Sequence, residues 1–124
     1  MIYMKATVKG EPDAAPFTKV FQYIDETDEL ILHHSVEMVR EKLGKKMKIN
    51  VNEALLVYCN YVAAQVRAKK SVGAIEKEVS DVLSSEQVMI GVPETLRTIA
   101  LDAIVDKTRV QVTLSHPVAA TGYA

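Results

Sequence analysis

Apolar positions recur along this chain with two different periods. Residues 1–8, MIYMKATV, alternate through Ile2, Met4, Ala6 and Val8, which is the period of a short strand. Gly10 to Pro16 holds one Gly and two Pro and reads as a loop. Phe17, Val20, Phe21 and Ile24 then recur at offsets of three, four and seven, which predicts a short amphipathic helix opened by Pro16. That segment either docks on the rest of the fold or binds a partner. A first long helix is expected with Thr27 as its N-cap and Asp28 and Glu29 in its first turn. Leu32, Val36, Val39 and Leu43 form its buried stripe, with help from Leu30 and Met38, and Gly44 caps its end. A second helix runs from Val51 to about Lys69 behind an Asn50/Glu53 capping box, with Leu55, Tyr58, Cys59, Val62 and Val66 on one side. Ser71 opens a third, whose stripe is Val72, Ile75, Val79 and Val82. Ser84 and Gln87 fit another capping box, for a short turn that Gly91 and Pro93 end.

After Glu94 the period falls to two. Ile99, Leu101, Ala103 and Val105 alternate, and so do Val110, Val112 and Leu114, with Asp106 and Lys107 between the runs. This is a β-hairpin pattern. Its turn lacks glycine, so a loop longer than two residues is expected. His116 and Pro117 end the second strand, and Val118 to Ala124 reads as a loose tail. The expected fold is α+β: mainly a helical bundle with a C-terminal antiparallel β-hairpin. The main domain spans 27–118, with an N-terminal extension at 1–26 and a tail at 119–124.

The 124 residues suit one domain, and a net charge of −1 gives no electrostatic case for nucleic acid or an anionic membrane as partner. No apolar run approaches the roughly 20 residues that span a bilayer, and the start has no apolar core of a signal peptide. A soluble, cytoplasmic protein is expected. The single cysteine, Cys59, excludes an internal disulfide and suits a small buried hydrophobe. His33 and His34 are neighbours on a helix, so their side chains point about 100° apart and poorly suit one metal. His116 is distant in sequence. No nucleophile elbow, phosphate loop or zinc-helix motif occurs. Lys45, Lys46 and Lys48 follow a helix C-terminus, where cations are favoured without any phosphate. Glu76, Glu78 and Asp81 share their helix with Lys77 and read as a solvated face. No catalytic, cofactor-binding or metal-binding residue is expected in this chain.

One stretch has unusual wording. Val82 to Glu94 reads V-L-x-x-x-Q-V-M-x-G-V-P-E. It is preceded by Ile49, Asn50, Glu53 and Ala54 in an L-N-x-x-E-A-like phrase and by Lys70, Ser71 and Val72 in a K-S-V phrase. A V-x-V-T-x-x-H-P strand at Val110 to Pro117 follows. In this order the phrases resemble the urease gamma-subunit family. The chain departs from that pattern at Ile90, where the family usually has an acidic residue, and at the turn Asp106–Thr108, which lacks the family's Pro and Gly. Residues 1–26 are additional. The resemblance implies a non-catalytic structural subunit that joins urease large and beta subunits, or their fusion, in an oligomer. Urea hydrolysis and nickel would belong to the large subunit. The departures open a second reading, an orphan interaction module that self-assembles. Under either, Val88, Met89, Ile90 and Val92, with Phe17 and Phe21 of the extension, are the candidate interface. Val88 alternatively caps the domain's own core.

Overall fold

The computed structural model describes residues 1–12 and 15–119 and has an α+β architecture. Its base is one antiparallel sheet of four strands in the order β2-β1-β3-β4, formed by β1 (Ile2–Lys9), β2 (Phe17–Tyr23), β3 (Thr98–Val105) and β4 (Thr108–Ser115). The expected C-terminal hairpin is β3–β4, and the N-terminal strands widen it into a sheet. The alternation in β1 puts Ile2, Met4, Ala6 and Val8 on the inner face, none more than 3% exposed. The register aligns Met4 with Ala103, Ala6 with Leu101 and Val8 with Ile99. Leu101 and Ile99 in turn face Val112 and Leu114. The opposite face carries Lys5, Thr7, Asp102, Gln111 and Thr113, so one face is apolar and one is wet.

Phe17–Tyr23 is a strand, where three-and-four spacing predicted a helix. Phe, Thr, Val and Tyr favour a pleated surface over a helix, and β1 offers a free edge to pair with, from Ile2 opposite Tyr23 to Val8 opposite Phe17. In the strand Phe21 points into the core, Val20 points away, and Ile24 lies exposed beyond the end.

The helices are α1 (Glu26–Gly44), α2 (Val51–Arg67), α3 (Val72–Glu78) and α4 (Val92–Thr95), and their buried side chains join the inner face of the sheet in one core. The N-cap of α1 is Asp25, not Thr27: its carboxylate accepts from the Asp28 N–H at 2.9 Å, and Asp28 accepts from the Ile24 N–H at 3.0 Å. Leu32, Val36 and Val39 are buried as expected, while Leu30 and Met38 face solvent. Gly44 stays helical, and the left-handed residue past the cap is Lys46, φ 59°. Both halves of the capping box on α2 are present. The α3 helix tightens into a 3-10 turn at Val79–Asp81, with Ile75 and Val79 buried.

The β3–β4 loop has two residues, since Val105 pairs directly with Thr108. Asp106 makes this possible by taking φ 57°, a conformation Asp tolerates better than most side chains. The chain after β4 is anchored as far as Ala119, whose N–H donates to the Leu83 carbonyl and whose carbonyl accepts from the Ser85 N–H. The rest of the expected tail, from 120, lies outside the described residues.

Helix α3 closes one edge of the sheet. The Glu76 carboxylate accepts the Thr113 main-chain N–H of β4 at 2.7 Å, so Glu76 is no mere solvated charge. At the far end Arg67 binds Glu29 at 2.7 Å and Asp106 at 3.1 Å, tying α2 to α1 and to the hairpin turn.

Candidate contact surface

The stretch from Ser84 to Leu96 holds a 3-10 turn, an extended bridge residue, a left-handed glycine and the one-turn helix α4. A 3-10 turn, Ser85–Gln87, opens where the Ser84 N–H donates to Gln87 Oε1 at 2.9 Å. Val88 then leaves in extended conformation and bridges Ile49 in parallel: the Ile49 N–H donates to the Gln87 carbonyl, and the Met89 N–H donates to the Ile49 carbonyl. Lys48 Nζ adds a bond to the Glu86 carbonyl at 2.8 Å. Gly91 sits at φ 94° as the N-cap of α4, with Pro93 in the first turn of that helix. Gly91 and Pro93 were expected to end a turn. They start one instead, because the left-handed Gly91 re-aims the chain and Pro93 suits a position where no helical N–H partner is needed.

This geometry sorts the candidate residues. Val88, at 3% exposure, and Val92 lie in the core beside Ile49 and Leu96. Met89 is 46% exposed and Ile90 is fully exposed, on a loop held by the bond from the Met89 N–H to the Ile49 carbonyl. Phe21 is buried, whereas Phe17 is partly open and lines a small cavity of about 150 Å³ with Gly10, Glu94 and Thr95. That corner is tight. A Cβ on Gly10 would come within 2.9 Å of the Glu94 and Thr95 carbonyl oxygens, so only glycine lets the end of β1 lie against α4. The surface missed by sequence reasoning is the outer face of α1. Leu30, Ile31 and Met38 lie there exposed, on the side opposite Leu32, Val36 and Val39. Sequence spacing alone places Leu30 and Met38 with the buried stripe, and in the fold both lie outside it.

The reactive side chains are dispersed. His33, His34 and His116 are all exposed, and among the described residues no three His, Cys, Asp or Glu are grouped to hold a metal ion. Burial pushes the Cys59 thiol up to about 12, so at neutral pH it is a protonated core residue. Burial likewise raises Tyr58, whose hydroxyl has no hydrogen-bond partner among the described residues. Glu53 is pushed up by burial, but its bonds to Lys42 and the Asn50 N–H outweigh that and hold it below its ordinary value. Lys45 pairs with Glu41, one turn away on α1, and Lys48 donates to the main-chain carbonyl of the distant Glu86, so two of the three lysines after α1 have protein partners. Among the described residues no helix is long and apolar enough to cross a membrane.

The fold and its irregular surface loop define a small α+β protein with a half-apolar loop presented beside a sheet. A family model described as urease, gamma subunit, matches residues 22–118. The chain belongs to the urease gamma-subunit family. It is 33% identical over 93 residues to a urease subunit gamma of Halalkalibacterium halodurans, covering 75% of this chain and 93% of that relative. It is 28% identical, with the same coverage, to a urease subunit gamma of Saccharopolyspora erythraea. A protein of Helicobacter heilmannii named urease subunit alpha is 33% identical over 97 residues, which span 77% of this chain and 41% of that longer relative. Strand β1 and most of β2 precede the matched region.

Proposed function

We propose that this chain is a non-catalytic structural subunit of a urease-type amidohydrolase. The observation that carries the reading is the family match across 22–118, the part of the chain that holds all four helices and the β3–β4 hairpin. The partners are a urease large subunit and beta subunit, or their fusion. The Helicobacter relative supports a unit that works alongside others, since it places the matching stretch within a longer chain. In this reading nickel and the hydrolysis of urea belong to the large subunit, and this chain contributes surface.

Met89 and Ile90 are the contact residues of choice. Both are apolar and exposed, and both are held on a loop whose path Gly91 and the Ile49–Val88 bridge determine. Methionine adapts to an irregular partner surface. The test is co-expression with a urease large subunit and affinity capture. The wild-type chain should co-purify with it. Met89→Asp and Ile90→Asp should weaken capture while leaving the melting temperature of the isolated chain nearly unchanged. Failure of the wild-type chain to associate with any urease large subunit from its own source would remove the proposal.

The second reading, a module that assembles with itself, draws on Ile90 standing fully exposed where the family resemblance has an acidic residue. Light scattering separates the two. A stable homo-oligomer with no uptake of a large subunit favours the module.

A further inference from the structure

The two edges of the sheet differ in protection, and the unprotected one is built by residues 17–21, which precede the family match, together with Gln22 and Tyr23. Strand β2 pairs with β1 for seven consecutive residues without a bulge. It contains one charged residue, Lys19, and no proline. Among the described residues no side chain is hydrogen-bonded to its main chain. Soluble proteins usually blunt such an edge with bulges, prolines or charges. Beside it runs an open groove of about 570 Å³ between β2 and the start of α2, lined by Lys19, Phe21, Tyr23, Asn52, Glu53 and Leu56.

We propose that the occupant of this edge is β2 of a second copy of the chain, added antiparallel about a two-fold axis at Val20. In that register Val20 faces its own counterpart, Lys19 faces Phe21, Thr18 faces Gln22 and Phe17 faces Tyr23. The pairing sets no like charges opposite each other. The strand's one cation meets an aromatic ring, a pairing already made within the chain, where Lys19 Nζ lies 5.3 Å from the Phe21 ring centre. The half-open Phe17 gains an aromatic neighbour in Tyr23, and the 51%-exposed Val20 gains an apolar one. Such a two-fold contact is closed, so it yields a dimer with one continuous sheet and no further growth at the covered β4 edge. The contact lies apart from Met89 and Ile90 and holds or fails independently of a urease role.

The test uses the full chain. Light scattering should give twice the 13.7 kDa chain mass. Val20→Lys sets two cations face to face at the axis and should halve the mass, with the melting curve of the monomer preserved because this side chain is half exposed. Val20→Cys should form a disulfide-linked dimer on mild oxidation, and the buried Cys59 of the wild-type chain should not. Leu30→Glu, on the outer face of α1, should leave the dimer intact. A monomer at every concentration overturns the proposal. So does a dimer that survives Val20→Lys, or one that Leu30→Glu dissolves.

Discussion

The two edges of the sheet are made from strands of nearly equal length and end differently. At β4 the main chain is met by Glu76 from α3, and the strand's own Arg109 forms a two-point bond to Asp102 of β3 at 3.0 and 3.2 Å. At β2, among the described residues, no side chain is bonded to the main chain, although Lys19 reaches Asn52 of α2 at 3.3 Å, and Val20 stands half exposed. The protected edge belongs to the part of the chain shared with the urease gamma family, and most of the open edge, residues 17–21, precedes it. An edge is therefore closed by what packs alongside it, and the strand's own composition does not decide the matter. Each strand carries one charged residue, Lys19 in β2 and Arg109 in β4, and only β4 is covered.

The largest effect should come from the strand that joins both halves. Met4 is fully buried in β1, between β2 and β3. Met4→Ala should cost about 2–5 kcal/mol in urea unfolding and loosen both edges together. Gly10→Ala should strike the open side alone. Its Cβ would press on the main chain of Glu94 and Thr95, for a loss of about 1–3 kcal/mol. Gly91→Ala meets open space, so its loss, about 1 kcal/mol, should come from the φ of 94° alone. If the two glycine variants lose equal stability, the close approach at Gly10 is not what holds the β1–β2 pair down.

Smaller again is the closed edge itself. Glu76→Ala removes one charge-assisted bond at an exposed site where water can substitute, so about 1 kcal/mol is expected. Amide hydrogen exchange should rise at Thr113 and stay unchanged across β2. Exchange that is already fast at Thr113 in the wild-type chain would show the edge to be open. The smallest effect concerns acid. Arg67, chiefly through its hydrogen bond, holds the Glu29 carboxyl below its ordinary value. A depressed acid stabilises the fold above its unfolded value, about 4.3, and that stabilisation is lost as pH falls through the lower folded value. Arg67→Met should therefore cost under about 1 kcal/mol at neutral pH, with the gap from wild type narrowing below pH of about 4.

Much of the α+β plan was legible because several segments carry two signals that agree. For α2, the capping box and the apolar stripe coincide, and its bounds fall within two residues of expectation. β3 and β4 were legible from strict alternation. Phe17–Tyr23 was misread because only the long-range partner decides it: an apolar spacing of three and four exists on paper, but the β1 edge wins. The true cap of α1 escaped because Asp25 and Thr27 are both good cap residues, and only the bond from the Asp28 N–H to the Asp25 carboxylate selects the first. The contact stretch was recognisable as wording. Its division into buried Val88 and Val92 against exposed Met89 and Ile90 was not, since it follows from the parallel bridge to Ile49, far away in the chain.

The strand order has a temporal consequence. β1 sits between β2, its neighbour in sequence, and β3, which begins at Thr98. As the polypeptide leaves the ribosome, the β1–β2 hairpin can form early, but the strand that completes its inner edge emerges only after α1, α2, α3 and α4. Until then Ile2, Met4, Ala6 and Val8 have no sheet to join on that side. Closing so long a loop is slow compared with forming the helices. The nascent chain thus carries a hairpin with two unpaired edges through most of its synthesis, and the step that joins β1 to β3 is where folding rate and aggregation compete.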